Sequence, residues 1–238
     1  MKIIHAINRR LLNNIRLFFR TFFYRFIFGQ RVPFGAEIEK IITSWECKHS
    51  TGDNPVPREI WEAQYLSNKW KYMEQLDELA RYSIIVGYMA YIKPQGAILD
   101  VGCGEGILFE RYRPYGYSKY LGIDISETAI NRLSKHQDKN TVFIRTDAEA
   151  FRPAELYDVI VFNESLYYFH EPLIAFERYS HALKQGGILI ISTYTTSHRA
   201  MAILSKIKAK CMVFDETQTT QQSRSWLCTV LALQKESK

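Results

Sequence analysis

Three glycines within five residues follow a short apolar run in the stretch ILDVGCGEG, residues 98–106. They are Gly102, Gly104 and Gly106, and Asp100 precedes them. Because fixing a glycine costs more backbone entropy than fixing any other residue, three so close together indicate a backbone that a ligand must approach. A dinucleotide site requires the pattern G-x-G-x-x-G, but Ile107 stands where its last glycine belongs. The loop therefore predicts a ligand that places no pyrophosphate on the following helix.

Acidic residues close the next two apolar runs. Asp124 ends the run YLGID, where a carboxylate can accept hydrogen bonds from both hydroxyls of a ribose. Asp147 follows the run TVFIRT, where it can accept a hydrogen bond from an adenine amino group, with Ala148 beside the ring. Each acid alone is also typical of a strand end or a helix cap, and either Asp124 or Ser126 could cap a helix over 127–134. Together with the glycine loop they favour a nucleoside site.

The elements around these residues alternate between short apolar runs and helical segments. Five runs have the length and spacing of strands: 97–101, 120–123, 141–146, 157–162 and 187–193. Strands that alternate with helices predict crossover connections and a parallel sheet. Residues 58–92 and 107–113 are predicted helices, and the runs 211–218 and 225–234 predict a hairpin. The expected fold class is α/β, a doubly wound, mostly parallel sheet of seven strands with the last strand antiparallel and helices on both faces.

The positive charge of the chain is concentrated at its N-terminus. The 238 residues carry a formal net charge of +6. Residues 1–31 contain seven basic residues and no acid, which leaves 24 basic against 25 acidic residues in the remainder. We therefore divide the chain into a basic arm at 1–31, a linker at 32–57 and a near-neutral domain at 58–238. The four cysteines form no CxxC pair, so we predict neither a metal site nor a disulfide framework, and we expect a cytoplasmic location.

Residues 2–28 of the arm have the pattern of an amphipathic helix. Its apolar residues recur at three- and four-residue steps: Ile4, Ile7, Leu11, Ile15, Phe18, Phe22 and Phe26. Arg16, Arg20 and Arg25 argue against a transmembrane span. Three interpretations remain: a helix packed against protein, a peripheral helix on the anionic inner face of a membrane, and an RNA-binding arm.

Five stretches taken together resemble the successive motifs of class I S-adenosylmethionine-dependent methyltransferases. They are ILDVGCGEG, YLGIDIS, TDAEAF, YDVIVFNESLYYF and LKQGGILIIST. The resemblance covers roughly residues 58–235 and implies S-adenosylmethionine as the cofactor. It also implies that the glycine loop contacts the methionyl part and the ribose, with Asp124 on the ribose hydroxyls and Asp147 near the adenine.

Further candidates lie ahead of the predicted sheet. Arg81 is either a partner for the methionyl carboxylate or an exposed helix residue. Four aromatic residues, Trp61, Tyr65, Trp70 and Tyr72, either cover the pocket or form helix-packing core. The complete set of cofactor-binding residues that we predict is Tyr72, Arg81, Asp100, Gly102, Cys103, Gly104, Gly106, Asp124, Ile125, Asp147, Ala148 and Asn163.

The segment NESLYYFHEP at 163–172 follows the fourth predicted strand and bears on the substrate. It lacks the Asn/Asp-Pro-Pro-Tyr/Phe motif of enzymes that methylate amide or base nitrogens, and no cysteine is preceded by proline as in pyrimidine-carbon methyltransferases. A nucleic-acid substrate is therefore not expected. The run NESLYYF, with RYS at 81–83, resembles small-molecule N-methyltransferases of the nodulation protein S type, which implies an amino-sugar acceptor.

An amine or hydroxyl acceptor must lose a proton during methyl transfer, so a base can assist. The candidate catalytic residues are Glu164, Tyr168 and His170, and Glu164 is preferred because it directly follows the strand end. We predict a methyltransferase that acts on N or O of a small-molecule or glycan-like acceptor. The alternatives are an O-methyltransferase on a membrane-bound lipid-linked or quinone-type acceptor, an RNA methyltransferase that uses the arm, and a non-catalytic scaffold.

Overall fold

A seven-stranded sheet forms the centre of the protein in a computed structural model, which describes residues 56–222 and 224–233. Its strands are β1 (Gln95–Val101), β2 (Tyr117–Asp124), β3 (Thr141–Arg145), β4 (Tyr157–Asn163), β5 (Leu183–Tyr194), β6 (Cys211–Gln221) and β7 (Arg224–Leu233). Their order is β3-β2-β1-β4-β5-β7-β6. Strands β1 to β5 are parallel, whereas β7 is antiparallel to both β5 and β6. The predicted fold class and the C-terminal hairpin are confirmed.

The order of the strands reverses between β1 and β4, which lie side by side. Their register pairs Ile98 with Val159 and Asp100 with Val161. In open sheets of this kind, ligands bind beyond the carboxyl ends of the strands at the reversal point. The segments that follow β1, β2 and β4 therefore meet at the edge where the site is expected.

Both faces of the central strands are buried. Along β4, Ile160 and Phe162 lie in one core and Val159 and Val161 in the other, because side chains alternate between the faces of a strand. The helices are α1 (Arg58–Leu66), α2 (Leu76–Ile92), α3 (Ile107–Tyr112), α4 (Glu127–Leu133), α5 (Pro172–Ser180) and α6 (His198–Lys208). Helices α5 and α6 cover the first core, and α2, α3 and α4 cover the second.

The segment before the sheet is divided into two helices. A 3-10 turn at Lys69–Glu74 separates α1 from α2. The Ser67 hydroxyl donates a hydrogen bond to the carbonyl oxygen of Gln64 at 3.0 Å, and Asn68 adopts a left-handed φ of 55°. The predicted helical segment over 58–92 is therefore two α-helices and a 3-10 turn instead of one continuous helix. Apolar spacing registers neither the hydrogen bond of the Ser67 side chain to the backbone nor the left-handed conformation of Asn68.

Within the described ranges, no helix is long and apolar enough to cross a membrane. The basic arm at 1–31, with its predicted helix at 2–28, lies outside the described residues, as does the linker up to residue 55.

Candidate active site

The predicted glycine loop joins β1 to α3 at the carboxyl end of the central strand. Gly102 and Gly104 have φ values of 79° and 55°, in the left-handed region that favours glycine. A Cβ atom at Gly104 would lie 2.8 Å from the hydroxyl of Tyr65, and one at Gly102 would lie 2.6 Å from Cβ of Ser165. The loop is thus enclosed between α1 and the segment after β4. The left-handed backbone and these protein contacts already disfavour a side chain at both positions, so a ligand is not needed to explain the two glycines.

Asp124 ends β2 beside the glycine loop. Its Oδ2 accepts a hydrogen bond from the backbone N–H of Gly104 at 2.9 Å, and its Oδ1 accepts one from the N–H of Ser126 at 2.9 Å. Burial raises the pKa of this carboxyl group. Ser126 is the cap of α4, since its Oγ accepts a hydrogen bond from the N–H of Ala129 at 3.1 Å. A carboxylate oxygen can accept a second hydrogen bond, so Asp124 retains the capacity to bind a ligand hydroxyl.

Asp100 is buried near the end of β1. The hydroxyl of Tyr120 donates a hydrogen bond to its Oδ2 at 2.7 Å, while its Oδ1 has no hydrogen-bond partner in the described part of the chain. Burial raises the pKa of Asp100 to about 7. A buried acceptor without a partner is uncommon, and here it lies one strand away from Asp124. This pair of carboxylates fits a ligand that supplies hydrogen-bond donors.

Other predicted cofactor residues lie near these carboxylates in sequence and at the same edge of the sheet. Cys103 is buried within the glycine loop, and Ile125 is half-buried directly after β2. Asp147 follows β3 with an exposed side chain. The carbonyl oxygen of Ala148 accepts a hydrogen bond from the hydroxyl of Tyr179 at 2.8 Å, which anchors this loop to α5.

Arg81 is a buried residue of α2, with an exposed fraction of 2%, so its interpretation as an exposed helix residue is wrong. Its Nε donates to Oε2 of Glu78 at 3.1 Å, and its Nη1 donates to Oδ1 of Asn163 at the end of β4. Arg224 of β7 donates to Oε1 of Glu78 at 2.6 Å. The structure thus joins the predicted residues Arg81 and Asn163. Glu78 was not among the predicted site residues, although its spacing of three residues from Arg81 on a helix is typical of an ion pair.

Glu164 follows β4 in a left-handed backbone conformation, with a φ of 57° that is uncommon for a residue other than glycine. Its Oε1 accepts a hydrogen bond from the Ser192 hydroxyl at 2.8 Å, and its Oε2 accepts one from the Tyr167 hydroxyl at 2.8 Å. Burial raises the pKa of Glu164, whereas the positive charge of Arg81 opposes that rise. Two hydroxyl donors and an unusual backbone therefore fix this half-buried carboxylate at the sheet edge.

Aromatic side chains from α1 and the following turn lie near the end of β4. We refer to Trp61, Trp70 and Tyr168 as the aromatic roof. Trp61 stacks on Trp70 with ring centroids 5.9 Å apart, and its ring contacts that of Tyr168 edge-on at 4.9 Å. Tyr72 lies beside Trp70 at 6.1 Å, and Tyr65 lies against the glycine loop. The four aromatic residues predicted to cover the pocket therefore extend from the glycine loop to the end of β4.

Glu62 attaches α1 to the first turn of α4. Its carboxylate accepts hydrogen bonds from the Ser126 hydroxyl, the Glu127 N–H, and both the N–H and the hydroxyl of Thr128. Burial raises the pKa of Glu62, but these hydrogen bonds outweigh burial and lower it overall. Glu62 was not among the predicted site residues, because its partners lie 64 to 66 residues away in the chain.

The three candidate catalytic residues are not all in one cluster. The ring of Tyr168 lies 4.5 Å from that of Tyr167, which in turn donates its hydrogen bond to Glu164. The side chain of His170 is exposed, and the hydrogen bonds of Glu164 described above do not include it. The geometry therefore joins Glu164 and Tyr168 and leaves His170 on the surface.

Known proteins share this fold. A family model described as a methyltransferase domain matches residues 67–232. The chain is similar to the N-methyltransferase NodS from Bradyrhizobium japonicum WM9 in complex with S-adenosyl-L-homocysteine, with a TM-score of 0.62, 22% identity, and coverage of 70% of this chain and 92% of that one. It is also similar to the 1,6-didemethyltoxoflavin-N1-methyltransferase of Burkholderia thailandensis, with a TM-score of 0.64, 14% identity, and coverage of 77% and 93%.

Curated relatives match a shorter segment. The ubiquinone biosynthesis O-methyltransferase of Rhodopseudomonas palustris (strain BisA53) is 28% identical over 109 residues, which are 44% of this chain and 43% of that protein. The matched segment thus spans less than half the length of these relatives.

The carboxylates of Asp100 and Asp124 beside the glycine loop fit the ribose and ammonium donors of S-adenosylmethionine. The chain belongs to the family of methyltransferase domains and has the fold of methyltransferases that bind S-adenosyl-L-homocysteine.

Proposed function

We propose that this enzyme methylates a nitrogen or an oxygen of a small-molecule or glycan-like acceptor. The observation that carries the proposal is the position of Glu164, a half-buried carboxylate fixed by two hydroxyl groups and linked through Tyr167 to the aromatic roof. Aromatic faces suit both the apolar face of a sugar and the positive charge of a sulfonium. A fixed carboxylate next to them suits an acceptor that must lose a proton.

We assign the cofactor to the carboxyl ends of β1, β2, β3 and β4. In this assignment Asp124 binds the ribose hydroxyls, and Asp147 and Ala148 bind the adenine. The buried guanidinium of Arg81 binds the methionyl carboxylate. Support comes from the unpaired Oδ1 of Asp100 and from the proximity of Asp124 to the glycine loop.

The cofactor, when bound, supplies a methyl group that its sulfonium already activates, so that positioning contributes much of the rate. Glu164 in its carboxylate form accepts the proton that the acceptor nitrogen or oxygen releases. The hydroxyls of Tyr167 and Ser192 orient this carboxylate, and its raised pKa brings its basicity closer to neutral pH. Trp61 and Tyr168 exclude water from the acceptor.

Two classes of acceptor have specific support. Small-molecule N-methyltransferases share the fold, which favours an amine acceptor. The curated O-methyltransferases of ubiquinone biosynthesis share 28% identity over part of the chain, which favours a phenolic hydroxyl.

A panel of acceptors tests the proposed function. The full chain is incubated with methyl-labelled S-adenosylmethionine and either amino sugars and short chitooligosaccharides or catechols and hydroxylated quinone precursors. We expect a labelled product from one class in mass spectrometry, and a loss of at least about a hundredfold in rate for Glu164→Gln. RNA and protein are tested in parallel. The proposal would be contradicted if the label entered RNA or protein and none of the small-molecule acceptors.

A further inference from the structure

Helix α1 directs different side chains to different parts of the site. Tyr65 lies against Gly104 of the glycine loop, and Glu62 binds the first turn of α4. Trp61 belongs to the aromatic roof near the end of β4. Because successive residues of an α-helix are about 100° apart, Gln64 lies on the Trp61 side of the helix and away from Glu62. Gln64 therefore lies on the side of α1 that faces the aromatic roof, where we place the acceptor.

Two buried polar atoms on this side have no hydrogen-bond partner among the residues that the structure describes. They are Oε1 of Gln64 and Nε1 of Trp70. Gln64 has an exposed fraction of only 7%, and Trp70 stacks on Trp61. Most buried polar side-chain atoms in folded proteins are hydrogen-bonded. An unpaired acceptor on the Trp61 side of α1 and an unpaired donor on the indole that stacks on Trp61 therefore indicate a ligand that pairs them.

We propose that Gln64 and Trp70 recognise the methyl acceptor. Oε1 of Gln64 accepts a hydrogen bond from a hydroxyl or amino group, Nε1 of Trp70 donates one to an oxygen, and the partly exposed ring of Trp61 contacts the face of the acceptor. The acceptor is then a ring that carries neighbouring hydroxyl or amino groups, which is chemistry that saccharides and catechols share. The inference rests on the proposed function, because it names the groups that bind the same acceptor.

A purely structural role for these two residues has different consequences. In that case their polar atoms would form hydrogen bonds within the protein. Replacing Gln64 or Trp70 would then lower the stability of the protein and leave the KM of the acceptor unchanged, because no contact with the acceptor would be lost. In the proposed role, Gln64→Met removes an unpaired acceptor atom from the free protein, so stability does not fall. Binding of the acceptor becomes weaker, because a hydrogen bond to it is lost.

The test uses the full chain with the variants Gln64→Met and Trp70→Phe, and Glu59→Gln on the exposed side of α1 as the matched control. The measurements are Tm without acceptor, affinity for S-adenosylhomocysteine, and KM for glucosamine and for catechol. We expect both variants to raise the KM of one probe by about tenfold at unchanged cofactor affinity, and Gln64→Met to keep the wild-type Tm. The probe whose KM rises identifies a saccharide or a catechol as the acceptor type. The indole N–H resonance that Trp70→Phe removes should also shift when that probe is added.

The outcomes separate this inference from the proposed function. Methylation of a probe with the same KM in wild type and both variants overturns the recognition role and leaves the proposed function intact. If none of the acceptors in the panel is methylated, the proposed function is contradicted. In that case an unshifted Trp70 resonance or a lowered Tm of Gln64→Met overturns the inference, whereas a shifted resonance at unchanged Tm supports it.

Discussion

The Oδ2 atom of Asp124 lies 2.9 Å from the backbone nitrogen of Gly104, and this hydrogen bond joins the end of β2 to the glycine loop. One carboxylate thus serves both the conformation of the loop and the proposed contact with the ribose. Substitutions at Asp124 or Gly104 should therefore lower the affinity for the cofactor more than they disturb the folding of the sheet.

Asp124→Asn is expected to weaken binding of S-adenosylmethionine by about tenfold or more, because hydrogen bonds to a charged group contribute about 1.5–3 kcal/mol each. Calorimetry measures the affinity. Asp138→Asn is the matched control, since Asp138 also accepts hydrogen bonds from the backbone two and three residues ahead but is exposed. Equal affinities of wild type and Asp124→Asn would exclude the ribose contact.

Gly104→Val is expected to give a folded protein of lower stability that binds no cofactor. Its φ of 55° is strained for any side chain, and the added Cβ would meet the hydroxyl of Tyr65. Circular dichroism checks the fold, and calorimetry checks binding. Gly87→Val in α2 is the control, because an added Cβ there meets nothing within 4 Å. Normal binding by Gly104→Val would show that the loop is only a turn.

Glu164→Gln is expected to lower kcat by about 10²–10⁴-fold if the carboxylate acts as the base. Since burial raises its pKa, the rate of the wild-type enzyme should increase with pH through a value above 4.5, as the carboxylate form accumulates. The variant should lack this acid limb in its pH–rate profile. His170→Gln should keep both the rate and the limb, and a limb lost in that variant instead would assign the base to His170.

Asp100 is expected to make the free protein less stable as pH rises. Its pKa is about 7 in the folded protein against 3.8 when it is not buried, so the folded state retains a proton that the unfolded state releases. Stability should therefore fall between about pH 4 and pH 7. Asp100→Asn should flatten this part of the curve of Tm against pH and weaken cofactor binding. An unchanged pH dependence in the variant would assign the effect to another group.

The basic arm is expected to bind anionic membranes, because each Lys or Arg near such a surface contributes about 1 kcal/mol and a Phe-rich face adds to it. Sedimentation with anionic and neutral vesicles compares the full chain with a form that lacks residues 1–31. The shortened form should stay in the supernatant and keep its affinity for cofactor. A full chain that sediments with neither vesicle favours an arm packed against protein, and steeply salt-dependent binding to RNA favours the third interpretation.

Local sequence features predicted much of this molecule. The strands, the C-terminal hairpin and Ser126 as a helix cap follow from apolar spacing and capping chemistry over a few residues. The interruption of the helical segment at Asn68 could not be predicted in this way, because a single left-handed residue leaves the apolar spacing nearly intact. Glu62 was missed for another reason: its partners in α4 are distant in sequence, so only the folded chain shows why this carboxylate is there. Glu78 had a local signal in Arg81, three residues later, but its second partner, Arg224 of β7, is distant in sequence.

The contacts of the glycine loop bear on how related genes are interpreted. An added Cβ atom would approach protein atoms more closely than 3 Å at each glycine: Ser165 for Gly102, Tyr65 for Gly104 and Leu133 for Gly106. The left-handed φ values of the three glycines, together with these contacts, would thus disfavour any side chain there even in a descendant that no longer bound its cofactor. A pseudoenzyme of this lineage would keep the glycine pattern and Asp124, which holds the loop, and would lose Asp100 first. Asp100 is therefore the better marker of a gene that still encodes an active enzyme.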